Sequence, residues 1–177
     1  MTSHPERPRH PDPALTVWIY DSALGAAAGE VRLKDLRQQD ALHVHDAITV
    51  SWMPGAHEPR IGHLRRETSA GAARDSVLGG LIDLLFLAPV SSVATVATRL
   101  LGTGLDEAFL DEVKRQLHAE TSALLVLSSD ADLDEVRPVI ERGLARGDVV
   151  LMHAQLPEDG PGTLRDAVHA LQQESNP

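Results

Sequence analysis

A mixed α/β (α+β) domain is the fold class this sequence predicts. Short β-rich apolar runs recur along the chain, amphipathic runs of helical period separate them, and Gly, Pro and Asp punctuate the junctions. One further stretch, residues 84–98, carries no charge at all and fits neither pattern.

Residues 15–20 (LTVWIY) form a β-rich run behind prolines and read as a buried strand. Asp21 or Ser22 then caps a helix running to about Gln39, with Ala23, Ala27, Val31 and Leu36 among its apolar positions. Gly25 and Gly29 weaken that helix and favour close backbone packing. Residues 47–53 (AITVSWM) alternate, with Ile48, Val50 and Trp52 on one face, and the Pro54–Gly55 turn returns the chain through 60–64. The uncharged stretch follows. Residues 106–117 then predict an amphipathic helix with Phe109, Leu110, Val113 and Leu117 inward. The run 123–127 (ALLVL) marks a central strand covered on both faces. A helix from Asp132, bent or delayed by Pro138, a strand at 149–153 and a helix at 163–172 complete the chain.

With the apolar insertion set aside, the order is strand–helix–strand–strand–helix–strand. That is the βαββαβ pattern of a ferredoxin-like sheet, here extended by an αβα unit. The expected organisation is an unpacked proline-rich tail over 1–13, one domain over 14–172 with a helical-hairpin insertion at 69–103, and a short tail over 173–177.

Composition narrows the function. The 177 residues are 42% hydrophobic and 24% charged, enough for one well-formed core. A net charge of −10, spread along the chain, disfavours nucleic acid and anionic lipid as partners. With no cysteine, thiolate metal sites, disulfides and cysteine nucleophiles are excluded. The N-terminus lacks the apolar core of a secretory signal, so a cytoplasmic location is expected, with membrane association as the variant.

The insertion is the strongest functional signal. Its first arm is apolar nearly all round, and Pro89 separates it from the second. In the second arm Val90, Val93, Ala94, Ala97, Leu100 and Leu101 fall on one helical face, with Ser91, Ser92, Thr95, Thr98 and Arg99 opposite. Each arm is shorter than the roughly 20 residues a membrane span needs, and Asp83 interrupts the first. Three surfaces are candidates to cover it: the chain's own sheet, a second copy, or lipid. The interaction set is Val77, Leu78, Leu81, Leu84, Leu85, Phe86, Val90, Val93, Ala94, Ala97, Leu100 and Leu101.

Several segments, in this order, resemble a bacterial family of unknown function, DUF1269, often labelled a predicted membrane protein. They are VWIYDS (17–22), DAITVSW (46–52), ETSAGAARDSVLGGLIDLLFLAP (67–89), LGTGLDEAFLDEV (101–113), TSALLVL (121–127) and LPEDGPGTLRDAV (156–168). The resemblance implies a glycine-rich hairpin whose small residues let two helices touch. Gly79 and Gly80 keep that character, whereas Ser91, Ser92, Thr95 and Thr98 depart from it. The resemblance brings no activity, substrate or catalytic residue.

Other chemical candidates are weaker. His43 and His45 share a strand face with Asp46 alongside, and His63 or His153 would have to complete a metal site through the fold. Asp130, Asp132, Asp134 and Glu141 mimic calcium-loop spacing, but Glu135 stands where the loop needs glycine. Tyr20–Asp21–Ser22 ends the first strand without a histidine base tied to the serine. No glycine-rich phosphate loop is present. The expected function is therefore non-enzymatic and needs no cofactor: homo-oligomer formation or membrane docking through the hairpin. The alternative is a small-molecule or metal-binding sensor domain.

Overall fold

The computed structural model describes residues 9–64, 76–87 and 92–175. Its main sheet contains β2 (Ala14–Tyr20), β3 (His43–Ser51), β4 (Arg60–His63), β5 (Ser122–Ser129) and β7 (Val149–Gln155). The strands lie in the order β4-β3-β5-β2-β7, and every neighbouring pair is antiparallel. Two further strands, β1 (Arg9–His10) and β6 (Ala131–Asp132), form a separate antiparallel pair. Among the described residues the helices are α1 (Ala26–Gln38), α2 (Val77–Ile82), α3 (Val93–Arg99), α4 (Glu107–Gln116), α5 (Leu133–Ala145) and α6 (Gly160–Ser175). A π-helical segment, Asp83–Leu87, continues α2.

The pleat divides the core in two. On one face Leu15, Val17 and Ile19 of β2 join Ile48 and Val50 of β3 and Ala123, Leu125 and Leu127 of β5. This face lies under α2, the π segment, α3, α4 and α6. On the opposite face Trp18, Tyr20, Leu124 and Val126 lie under α1 and α5. The result is three layers, helices–sheet–helices, a mixed α/β architecture. Central β5 is buried on both sides over residues 122–127, as its unbroken apolar run predicts.

Local chemistry accounts for the departures from the sequence reading. Helix α1 starts at Ala26 rather than just after Ser22. Its first amide is capped from across the sheet: Ser122 Oγ accepts from Ala26 N at 2.9 Å and donates to the Ser22 carbonyl at 2.7 Å. That start turns Leu33 and Leu36 inward and leaves Leu24 and Val31 exposed. Strand β3 begins earlier than expected, at His43, and a β-bulge lies between Val44 and Asp46. Helix α5 runs through Pro138 from a start at Leu133, capped by Asp132, whose carboxylate accepts from Asp134 N.

Two boundaries also move. The stretch expected to be an unpacked tail through Pro13 is held from Arg9 onward. Arg9 and His10 pair with Asp132 and Ala131, and the Pro13 carbonyl accepts from Leu156 N at 2.8 Å. The Arg9 guanidinium also donates to the Asp40 carbonyl at 2.8 Å and to the Asp130 carboxylate at 3.0 Å. Strand β4, expected as the third strand of the βαββαβ pattern, lies at the sheet edge beside β3. The αβα extension instead contributes β7, which pairs with β2 over its whole length.

Candidate functional site

The apolar insertion is a layer of the fold. In α2 every residue is buried; Leu78 and Ile82 are fully enclosed, as is Leu84 of the π segment, with Val77, Leu81 and Leu85 beside them. Phe86 is partly buried and meets Trp52 edge to face, with ring centroids 5.8 Å apart. This α2–π arm rests on β3 and α6. Gly80 makes that approach possible: a Cβ there would lie 2.7 Å from Val168 Cγ1 and 2.8 Å from Gln172 Nε2 of α6. Of the Gly79–Gly80 pair, Gly80 makes its close helix contact with α6, whereas a Cβ on Gly79 would meet His63 and Ser76.

The second arm is rotated relative to its expected face. Ser92 caps α3 by accepting from Thr95 N at 3.1 Å, so the helix begins at Val93. Its inner face is Val93, Val96, Ala97 and Leu100, with Val96 and Leu100 fully buried. This set has the same i, i+3, i+4, i+7 spacing as the predicted one but places bulky Val96 inside and small Ala94 outside. Ala94 and Leu101 point to solvent, Leu101 being 76% exposed. Val90 lies outside the described residues. Arg99 closes the arm with an ion pair to Glu174 of α6.

A buried polar latch fastens the first arm to the sheet. Asp46, only 7% exposed, aims Oδ2 at the N-terminus of α2. It accepts from Leu78 N at 2.9 Å and from Ser76 Oγ at 3.0 Å, while Ser76 Oγ accepts from Gly79 N. A carboxylate there satisfies helix-terminal amides and complements the helix dipole. Sequence reasoning had grouped Asp46 with the histidines. The serine opening the apolar run VLGGLI was the signal that a helix starts there. Nothing in the sequence pairs Ser76 with Asp46. Farther along this arm, half-buried Asp83 has its carboxyl pushed above the usual range by desolvation, which nearby His63 opposes and Glu58 reinforces.

The histidines do meet: the His43 and His45 rings are T-shaped with centroids 4.7 Å apart, and His45 Nε2 lies 2.8 Å from Ser129 Oγ. Neither proposed third ligand joins them. His63 pairs with Ile48, farther along β3, and His153 is on β7, with β5 and β2 between. Among the described residues no group of three His, Asp or Glu side chains is placed to hold a metal. Of the calcium-like acids, Asp130 binds Arg9 and Asp132 caps α5.

On the opposite face α1 and α5 leave a narrow crevice with a cavity of about 40 Å³. Trp18, Tyr20, Leu124 and Val126 lie on its sheet side, Leu33, Leu36 and Val139 on its helix sides, and Arg32 reaches into it from α1. A Cβ on Gly29 would collide with the Tyr20 hydroxyl, and one on Gly143 would stand 2.9 Å from the Trp18 ring. Trp18 belongs to the run 15–20 expected to be buried, and no local motif pairs Tyr20 with Arg32, because the fold alone brings them together.

These features define a three-layer α/β protein with a buried apolar insertion latched to its sheet. The chain belongs to the family described as "Protein of unknown function (DUF1269)", whose model matches residues 72–169. The match spans the insertion, α4, β5, α5, β7 and much of α6; VWIYDS and DAITVSW lie outside it. No curated protein and no solved structure matches the chain. Among the described residues no helix is long and apolar enough to cross a membrane.

Proposed function

We propose that this is a non-enzymatic protein that self-associates through the outer rim of its apolar insertion. The observation that carries this reading is an apolar knob beside a groove able to receive it. Leu101 projects from the end of α3 next to an open groove of about 540 Å³, which it helps to line with Ala97, Leu105 and Pro157. A knob and its receptor side by side on one surface suit an isologous two-fold contact, in which each copy's Leu101 enters the other's groove. Outward-facing Ala94 and Thr98 extend the same stripe, and their small size permits close helix approach. A contact this small gives a concentration-dependent assembly rather than a permanent one.

We also read the sheet as ferredoxin-like. Support comes from the order β3-β5-β2-β7, formed by β2-α1-β3 and β5-α5-β7, with both crossover helices on one face. On this reading the insertion, α4 and α6 cover the face such a sheet otherwise leaves for a partner.

Light scattering behind size exclusion, over a concentration series, tests self-association. The expected result is a mass rising toward twice 19.1 kDa for the unaltered chain and a monomer for Leu101→Lys. A monomer at every concentration, or an unchanged assembly in Leu101→Lys, overturns it. Flotation with zwitterionic vesicles separates the membrane alternative: co-flotation lost in Leu101→Lys would reassign the same rim to lipid.

A further inference from the structure

The crevice between α1 and α5 holds two polar groups without a hydrogen-bond or ion-pair partner among the described residues. Tyr20 is 6% exposed, yet its hydroxyl makes no hydrogen bond to any described residue. No side-chain nitrogen or oxygen among the described residues is both buried and unpaired, so this hydroxyl opens onto the crevice, where a ligand can reach it. Arg32 lines the same space and makes no ion pair or hydrogen bond with a described residue, although acids outnumber basic residues 26 to 16 in the chain. The other lining residues named above are apolar. Glycine at 29 and at 143 keeps the space open, since a side chain at either position would press on Tyr20 or Trp18.

We propose that this crevice binds a small monocarboxylate with a flat or short apolar body. The apolar part would lie against Trp18, Leu124 and Val139, and the carboxylate would accept hydrogen bonds from Arg32 and the Tyr20 hydroxyl. Size agrees with this class. A cavity of about 40 Å³ has room for about three water-sized centres, so it encloses one part of such a molecule, leaves the rest at its open mouth and excludes a nucleotide. Charge agrees as well, because a guanidinium offers a carboxylate two parallel donors. Burial and neighbouring Asp148 hold the Tyr20 hydroxyl protonated well past neutral pH, against the opposing pull of Arg32, so it serves as a donor. The site is on the sheet face away from the insertion and is independent of the assembly reading.

The chain supplies its own reporter. It has two tryptophans; Trp18 lines the crevice, and Trp52, whose indole donates to the Ala56 carbonyl at 3.0 Å, is remote from it. In ¹H–¹⁵N spectra titrated with sodium benzoate, and separately with butyrate, the Trp18 indole signal should move saturably while that of Trp52 stays. Arg32→Gln should weaken binding at least about tenfold, as expected for loss of a charge-assisted bond. Tyr20→Phe should weaken it less, and because the hydroxyl has no hydrogen-bond partner among the described residues, that variant should unfold at the same temperature as the parent. Benzamide, which keeps the ring and removes the charge, should bind more weakly than benzoate. No saturable Trp18 shift with either acid overturns the proposal. So does equal binding of benzamide, or unchanged affinity in a folded Arg32→Gln, since each would leave only an apolar crevice.

Discussion

The two faces of the sheet are packed to different standards. Beneath the insertion, Leu15, Leu78, Ile82, Val96, Leu100, Leu110 and Leu164 all have no exposed surface. Buried Asp46 and Ser76 at that face are paired with each other, and Asp46 also takes the Leu78 amide. Beneath α1 and α5, Trp18, Val136 and Val139 are only partly covered, a cavity remains, and Tyr20 and Arg32 stand without partners among the described residues. The first face has the character of a core and the second that of a site. The longest apolar stretch in the sequence therefore belongs mainly to folding, while spare polar capacity lies on the other side.

That contrast can be broken by substitution, and the largest effect is expected beneath the insertion. Leu78→Ala should cost about 2–5 kcal/mol in chemical denaturation, because a fully enclosed side chain leaves a cavity its neighbours cannot fill. Asp46→Ala should cost about 2–3 kcal/mol, by stranding the Leu78 amide and the Ser76 hydroxyl in a dry interior. Val139→Ala, beside the crevice, should cost only about 1 kcal/mol. Equal losses for Leu78→Ala and Val139→Ala would erase the distinction between the faces.

The smallest effect concerns pH and sharpens the account of Asp83. Its folded carboxyl titrates above the ordinary value, so between the two values the native state holds more protons than the unfolded chain. Stability from this residue therefore falls as pH rises through that window and is restored as pH is lowered. Asp83→Asn should be more stable than the parent at neutral pH, and the difference should vanish toward the acid end of the window. Denaturant midpoints measured across that range check it; a variant less stable at neutral pH would mean that the carboxylate, not its desolvation, dominates.

Much of this architecture was legible because periodicity reports burial. The alternation of Ile48 and Val50 marked the inner side of β3, and the unbroken run 123–127 marked the central strand. Three features were less visible, each for a physical reason. Helix α1 is capped by Ser122, about a hundred residues away, and no local motif encodes such a partner. The inward face of α3 was ambiguous, since two sets share one spacing and differ mainly in whether Val96 or Ala94 goes inside. The crevice depends on Gly29, Tyr20, Arg32 and Gly143, which converge only when α1 and α5 cross the sheet. His43 and His45, which share a strand face by spacing, do touch.

The central claim is that the apolar insertion is an inner layer of the fold, held on the sheet from within the same chain. Hydrogen exchange of the backbone amides in α2 and α3, in dilute protein without lipid, tests it most directly. Leu78 through Ile82 and Val96 through Leu100 should be protected to the same order as central β5, because they open only with the whole domain. Rapid exchange there while β5 stays protected, slowed only by vesicles or high protein concentration, would contradict the account.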